Sequence, residues 1–327
     1  MRSLKIILPL LLLLPALFSC NKDLNVNAGW KDITVVYGLL DQSQDTTYIK
    51  ITKAYLGPGD AMTFAKNADS SNYPDKLEVR LDEYNGTDFV SSYPCDTVTI
   101  HNKKKGDSIF YYPDQLMYFS MARLDETHIY KLFIRNKKTG KEITAQTELV
   151  HDFEIIRPQT QVPINFDTVN SVTTRWKPAK NGTRYQLLIR FYYLEALKSD
   201  SLNPYTKFVD WVVYNNIPDP QNTLSLDIAG LGFYTVVGAS VPVSNDVIRK
   251  AQYCKFIYSV ASATLNTYIE VTEPSMTIVQ EKPSFTNITN GLGIFSSRYT
   301  KILDSLWVGS PTRALLKKSG RTKNRGF

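Results

Sequence analysis

The stretch SVTTRWKPAKNGTRYQLLIRFYYLE, residues 171–195, decides how the fold is read. It begins with β-branched residues, breaks at Pro178, turns through Asn181 and Gly182, and resumes with Leu187 and Ile189 alternating behind Tyr185. A period of two sends one set of side chains to a core and the other to solvent, so a strand is expected on each side of the break. The neighbours Tyr192 and Tyr193 must point to opposite faces of such a strand, which turns one of them outward.

The same rhythm extends in both directions. DITVVYGLLD (32–41), TTYIKITKAYLG (46–57) and KLEVRLDEYNG (76–86) read as strands, the last running into an Asn-Gly turn. HIYKLFIRNKKTGKEITAQTEL (128–149) gives two strands about a Lys-Lys-Thr-Gly turn. TKFVDWVVYN (206–215) and TLSLDIAG (223–230) continue the series, and KFIYSVASATLNTYIEVTE (255–273) supplies a late strand or a pair. Two stretches break the rhythm. DAMTFAKNAD (60–69) reads as one or two helical turns capped by Asp60, and LGFYTVVGASVPVSNDVIRKAQ (231–252) as short helices, the second starting at Ser244 or Asn245. No period of about 20 to 50 residues recurs, which argues against a propeller or solenoid.

Two spacings carry a resemblance. Trp176 stands two residues before Pro178 and nine before Tyr185, similar to the B and C strands of a fibronectin type III module with its core tryptophan. In ARLDETHIY (122–130), Leu124 precedes Tyr130 by six residues, which resembles the tyrosine corner of immunoglobulin-like and fibronectin-type sandwiches. The fold class expected is mainly β: two successive Ig-like/fibronectin-type β-sandwich domains, residues 32–150 and 151–310, the second with short helical insertions.

The amino-terminal run LPLLLLLPALFSCNKD (8–23) bears on location. Arg2 and Lys5 precede thirteen largely apolar residues, 6–18. A membrane-crossing helix needs about 20, so the run reads as a signal segment, residues 1–19. Leu17-Phe18-Ser19-Cys20 resembles the bacterial lipobox. That likeness implies lipidation of Cys20 through a thioether to a diacylglycerol, with residues 20–31 as the tether. Two or three acyl chains hold a protein at a bilayer where one holds it marginally.

The formal charge of +7 is unevenly placed. Arg2 and Lys5 leave with the signal, and Arg313, Lys317, Lys318, Arg321, Lys323 and Arg325 crowd the last fifteen residues, where no acid occurs. Thirty basic and thirty-one acidic residues remain between them, so no basic face is expected for nucleic acid. Residues 311–327 read as a solvated basic tail able to meet an acidic lipid headgroup or a lipopolysaccharide phosphate. Cys95 and Cys254 fall in separate expected domains and read as two free or buried thiols, which excludes a disulfide-built scaffold.

Motifs for chemistry are sparse. His101, His128 and His151 lie outside metal-ligand spacing of one another and of the cysteines, no Gly-x-Ser-x-Gly elbow occurs, and no metal or cofactor is expected. NGLG (290–293) reads as a backbone turn, and Asp60, Asp69 and Asp75 do not fit the EF-hand spacing. With an aromatic content of 12%, Trp211, Tyr192 and Tyr193 are the candidates for stacking on sugar rings. Asp followed by Ser or Thr and then an aliphatic residue or Thr recurs at Thr46, Thr97, Ser108, Thr168, Ser201 and Ser305. This resembles the O-glycosylation acceptor that Bacteroidota use on exported proteins, and it predicts exposed hydroxyls at those positions.

The lipobox, VVYGLLD (35–41), RWKPAKNGTRYQLLIRF (175–191) and KPSFTNITNGLGIFSSR (282–298) together resemble an uncharacterised lipoprotein family of Bacteroidota. The resemblance implies an outer-membrane or periplasmic lipoprotein, often encoded beside a TonB-dependent receptor, and it brings no catalytic residue. The function expected is a non-catalytic cell-envelope binding or accessory module for an outer-membrane partner such as that receptor. A surface glycan-binding lipoprotein is the alternative. A hydrolase is a further one, and would need two carboxylates about 5 to 10 Å apart in a pocket.

Overall fold

The computed structural model describes residues 33–54, 71–101, 114–218, 222–273 and 284–327. The chain is mainly β, arranged in three sheets with a few helices. The expected helical turns at 60–69 lie outside the described residues, as do Cys20 and the amino-terminal leader. No helix among the described residues is long and apolar enough to cross a membrane.

The first half supplies β1 (Ile33–Leu40), β2 (Thr47–Ala54), β3 (Glu78–Asn85), β4 (Asp88–Pro94), β5 (Asp96–Ile100), β6 (Gln115–Ser120), β7 (Ile129–Arg135) and β8 (Glu142–Glu148). The second half supplies β9 (Ile155–Arg157), β10 (Ser171–Trp176), β11 (Arg184–Leu197), β12 (Asp200–Pro218), β13 (Leu224–Ala229), helix α1 (Gly230–Ser240), β14 (Val247–Ala261), helix α2 (Ala263–Thr272), β15 (Gly291–Trp307) and helix α3 (Ser310–Lys318). One sheet of eight strands, ordered β12-β11-β14-β15-β1-β2-β6-β5, takes strands from both halves of the chain. A four-stranded sheet, β4-β3-β7-β8, and a three-stranded sheet, β13-β10-β9, accompany it.

The strand β15 joins the two halves. Its first seven residues, 291–297, pair in parallel with β1, and the remainder pairs antiparallel with β14. Gly293 is required where this strand meets β1. Its φ is +102°, and a Cβ there would collide with the Val36 carbonyl oxygen. Two main cores result. Val36, Ile49, Val79, Leu132 and Ile143 form the first together with Ile288 and Phe295, which arrive from the far end of the chain. Trp176, Tyr185, Ile189, Phe191, Phe256 and Tyr258 form the second with Phe233 of α1 and Leu316 of α3. Trp176 and Phe295 are both fully buried, and an aromatic side chain taken fully out of water stabilises a fold by about 1.5–3 kcal/mol.

Three expectations are corrected. The second short helix expected from Ser244 or Asn245 is instead the start of β14. Val247, Arg249 and Ala251 face inward there while Ile248 and Lys250 are exposed, so the inward charge of Arg249 hides a period of two. Arg249 tolerates burial because Glu195 meets it at 2.6 Å. Conversely, the tail end of the expected 255–273 strand is α2. Ser262 ends β14, its hydroxyl accepts the Leu265 N–H, and Leu265, Tyr268 and Ile269 then share one helical face against Leu39 and Ile294. The basic carboxyl-terminal stretch is folded rather than solvated throughout. The Thr312 hydroxyl accepts the Phe166 N–H at 2.7 Å, Leu316 is fully buried, and the Phe327 ring lies 5.5 Å from that of Tyr193. Arg249 donates through its guanidinium to the Arg325 carbonyl and through its backbone N–H to Gly326, at 2.7 Å for the latter.

Candidate functional site: an uncovered sheet face

In the second half, the inner face of β12, β11, β14 and β15 is covered by the core, while its outer face carries large side chains that no described residue covers. Three rows cross the strands there. The first is aliphatic: Val212, Leu188, Ile257 and Ile302 are successive register partners. The second is charged. Arg190 donates to both oxygens of Asp210 at 2.6 and 2.8 Å, and Lys255 meets Asp304 at 2.7 Å. The third is aromatic, with Phe208, Tyr192, Tyr253 and Trp307 at centroid separations of 5.9, 4.8 and 5.7 Å. Four strands at about 4.8 Å give that row a span of roughly 14 Å. Phe208 and Trp307 are each about half exposed, at 52% and 50%, as are Val212 and Ile302 at the ends of the aliphatic row.

Two irregularities create the aromatic row. The register slips between Phe191 and Tyr193 opposite β14, so that Ala251 and Cys254 both face inward with Gln252 and Tyr253 between them. An extra residue reverses the parity of a strand, and this one turns Tyr253 onto the outer face. A second slip occurs opposite Cys254 and Phe256, where Ser305 of β15 takes a φ of +58°. Leu306 then turns inward and Trp307 outward. The cations lie over the rings: Arg190 stands 4.3 Å above the Phe208 centroid and Lys255 5.7 Å above that of Tyr192.

Of the residues expected to stack on sugar, Tyr192 alone belongs to this face. Tyr193 is buried and stacks on Phe191 at 5.8 Å. Trp211 lies half-buried on the inner side of β12, 6.0 Å from Phe166, where a Cβ on Gly232 would come within 2.7 Å of the indole. Phe208, Tyr253 and Trp307 escaped the reading of the sequence. Phe208 lies three residues from Trp211 and so has opposite parity, which places it outward once Trp211 is known to face inward. The other two depend on the slips.

Beside the face, α2 walls a cavity of about 680 Å³ lined by Tyr37, Leu39, Leu265, Tyr268 and Ile294, with Gln186 and Arg298 at its polar side. Its one carboxylate, Glu273, is held by Arg184 at 2.9 Å. A second cavity of about 680 Å³, between β8 and the turn before β11, contains Glu148 as its one carboxylate. Among the described residues neither brings two acids together.

A buried acid cluster sits in the first half. Glu83 accepts from Tyr93 at 2.7 Å and Tyr130 at 2.8 Å and lies 2.9 Å from His128 Nδ1. Burial pushes this carboxyl up, but the hydrogen bonds from His128, Tyr93 and Tyr130 outweigh it and hold Glu83 below its ordinary range. The Tyr130 hydroxyl also accepts the Asp125 N–H at 2.7 Å, tying the preceding loop to β7. The cluster is engaged in holding the fold.

Among the described residues no group of three or more His, Cys, Asp or Glu converges as metal ligands. Cys95 and Cys254 are separate, free and buried. Burial raises both thiols, Cys95 to about 11. Of the hydroxyls expected to accept glycans, Thr168, Ser201 and Ser305 are exposed, Thr46 and Thr97 are half-buried, and Ser108 lies outside the described residues. In comparisons with known proteins, no family model matches the chain and no curated protein matches it.

Proposed function

We propose that this chain is a non-catalytic envelope lipoprotein, held at the outer membrane through Cys20, whose uncovered four-stranded face docks onto an outer-membrane protein of the TonB-dependent receptor type. In this reading each half is an Ig-like or fibronectin-type sandwich and β15 serves both. The buried Trp176 and the Tyr130 tie to Asp125 support it.

The observation that carries the docking reading is the outer face itself. Exposed apolar patches of this kind on a folded chain mark sites of interaction. Partner-binding centres are enriched in aromatic residues and Arg, the residue types gathered in Phe208, Tyr192, Tyr253, Trp307 and Arg190. Glycan binding is the competing reading, and the half-exposed rings of Phe208 and Trp307 favour it. Against it, Tyr192 and Tyr253 stack on each other at 4.8 Å, which covers ring faces a sugar would need.

The test uses lipidated protein to capture partners from detergent-solubilised outer membranes, with Phe208→Ala/Trp307→Ala in parallel. Stoichiometric recovery of one receptor by the wild type is expected, with the affinity weakened by several hundredfold in the double variant at roughly 2 kcal/mol for each aromatic removed. Equal recovery by both proteins would remove the face from the proposal. Retardation in a polysaccharide gel that the variant abolishes would transfer it to glycan.

A further inference from the structure

A different end of the molecule gathers apolar tips and cations. The β11–β12 hairpin projects Leu197, 50% exposed, and Leu202, 90% exposed, and the loop before β14 projects Val243, 58% exposed. Backbone contacts bring these loops to the carboxyl-terminal segment. Leu197 is the register partner of Val247, the Lys198 N–H donates to Asp246 at 2.8 Å, and the Arg325 guanidinium donates to the Val241 carbonyl. Lys198, Arg321 and Lys323 are exposed here, and Lys317 and Lys318 lie exposed on adjoining α3. None of the five forms an ion pair among the described residues. They outnumber the acids of this end, Asp200 and Asp246, of which Asp200 accepts from Asn203.

We infer that this end is a contact surface for an anionic lipid bilayer. Aliphatic tips set among lysines and arginines have the composition of an interfacial contact: the apolar parts enter the headgroup boundary while the cations meet lipid phosphates. The cations here are spread over a hairpin, a helix and a terminal segment rather than arranged as a fork around a pocket, which suits a diffuse charged surface better than a single acidic peptide. The folded-back terminus is what fixes them, since Arg249 and the Phe327 ring hold the segment in place. The inference does not rest on acylation of Cys20.

The test uses the full chain carrying Cys20→Ser and Leu202→Cys, labelled at residue 202 with an environment-sensitive fluorophore. Cys95 and Cys254 are buried and do not compete for the label. Vesicles of phosphatidylcholine alone are compared with vesicles in which roughly a quarter of the lipid is phosphatidylglycerol. A blue-shifted emission on the anionic vesicles alone is expected. Adding Arg321→Gln/Lys323→Gln should weaken the response by roughly thirtyfold, about fivefold for each cation, while Phe208→Ala/Trp307→Ala leaves it unchanged and so separates this surface from the docking face. Water-like emission on anionic vesicles, an equal response on neutral ones, or indifference to the glutamine pair would overturn the inference. A response to polyglutamate but not to vesicles would overturn it in favour of an acidic protein.

Discussion

Replacing Glu195 by Gln tests the buried ion pair that holds the carboxyl-terminal segment. Glu195 is 3% exposed, and its carboxylate receives Arg249 at 2.6 Å, Lys207 at 2.7 Å and the Tyr205 hydroxyl at 2.6 Å. Burial by itself would raise this carboxyl, but those three donors outweigh it and bring it from 4.5 down to about 2. At about 1.4 kcal/mol per pH unit, the charged form contributes about 3 kcal/mol to stability. A depressed acid is stabilising above its unfolded value, and the contribution is lost as pH falls from 4.5 toward 2. Glu195→Gln cannot titrate, and it leaves Arg249 buried without its counter-charge, as protonation does in the wild type. The variant should therefore be less stable by about 3 kcal/mol at pH 7, and the gap should close as the pH approaches 2. Urea unfolding followed through tryptophan fluorescence reads this directly, because Trp176 and Trp211 lie in the same half as Glu195. With a slope of about 3 kcal/mol per molar, the midpoints separate by about 1 M at neutral pH. A separation that stays constant down to pH 2.5 would refute the reasoning, since it would arise from shape rather than charge.

Two further outcomes follow from the cores. Phe295→Ala removes a fully buried ring near the end of the chain, yet it should destabilise the first half by about 3–5 kcal/mol, visible as lost amide-exchange protection in β1 and β3; protection lost solely in β11 and β14 would contradict the core assignment. Cys95 and Cys254 should resist a thiol-specific aromatic disulfide at pH 8 and react fully once unfolded in guanidinium; rapid reaction of either in the folded protein would show that its burial is misassigned.

The strands were largely legible in the sequence because alternation is local. Leu77, Val79 and Leu81 announce a half-buried strand, and Asn85-Gly86 announces its turn. What stayed hidden was non-local. The inward Arg249 breaks the apolar rhythm of β14, and only its pairing with Glu195, fifty-four residues away, explains it. Tyr253 and Trp307 face outward because a partner strand is one residue out of step, which no window on either strand reveals. Tyr192 was found as one of two possibilities, and the register partner Phe208 resolves which. Trp211 misled because an aromatic residue in an alternating strand looks the same whether it lines a core or faces water.

The position of β15 in the chain sets the order in which the molecule can be completed. Phe295 and Ile288 close the first core, but a ribosome makes them some two hundred and fifty residues after β1. The earliest strands therefore wait with an open flank through most of synthesis, and the parallel partner of β1 is among the last segments to emerge. Such long-range closure slows folding and leaves an unpaired strand edge exposed meanwhile. A truncation anywhere before residue 284 would thus spoil the opening half of the molecule as surely as its closing half.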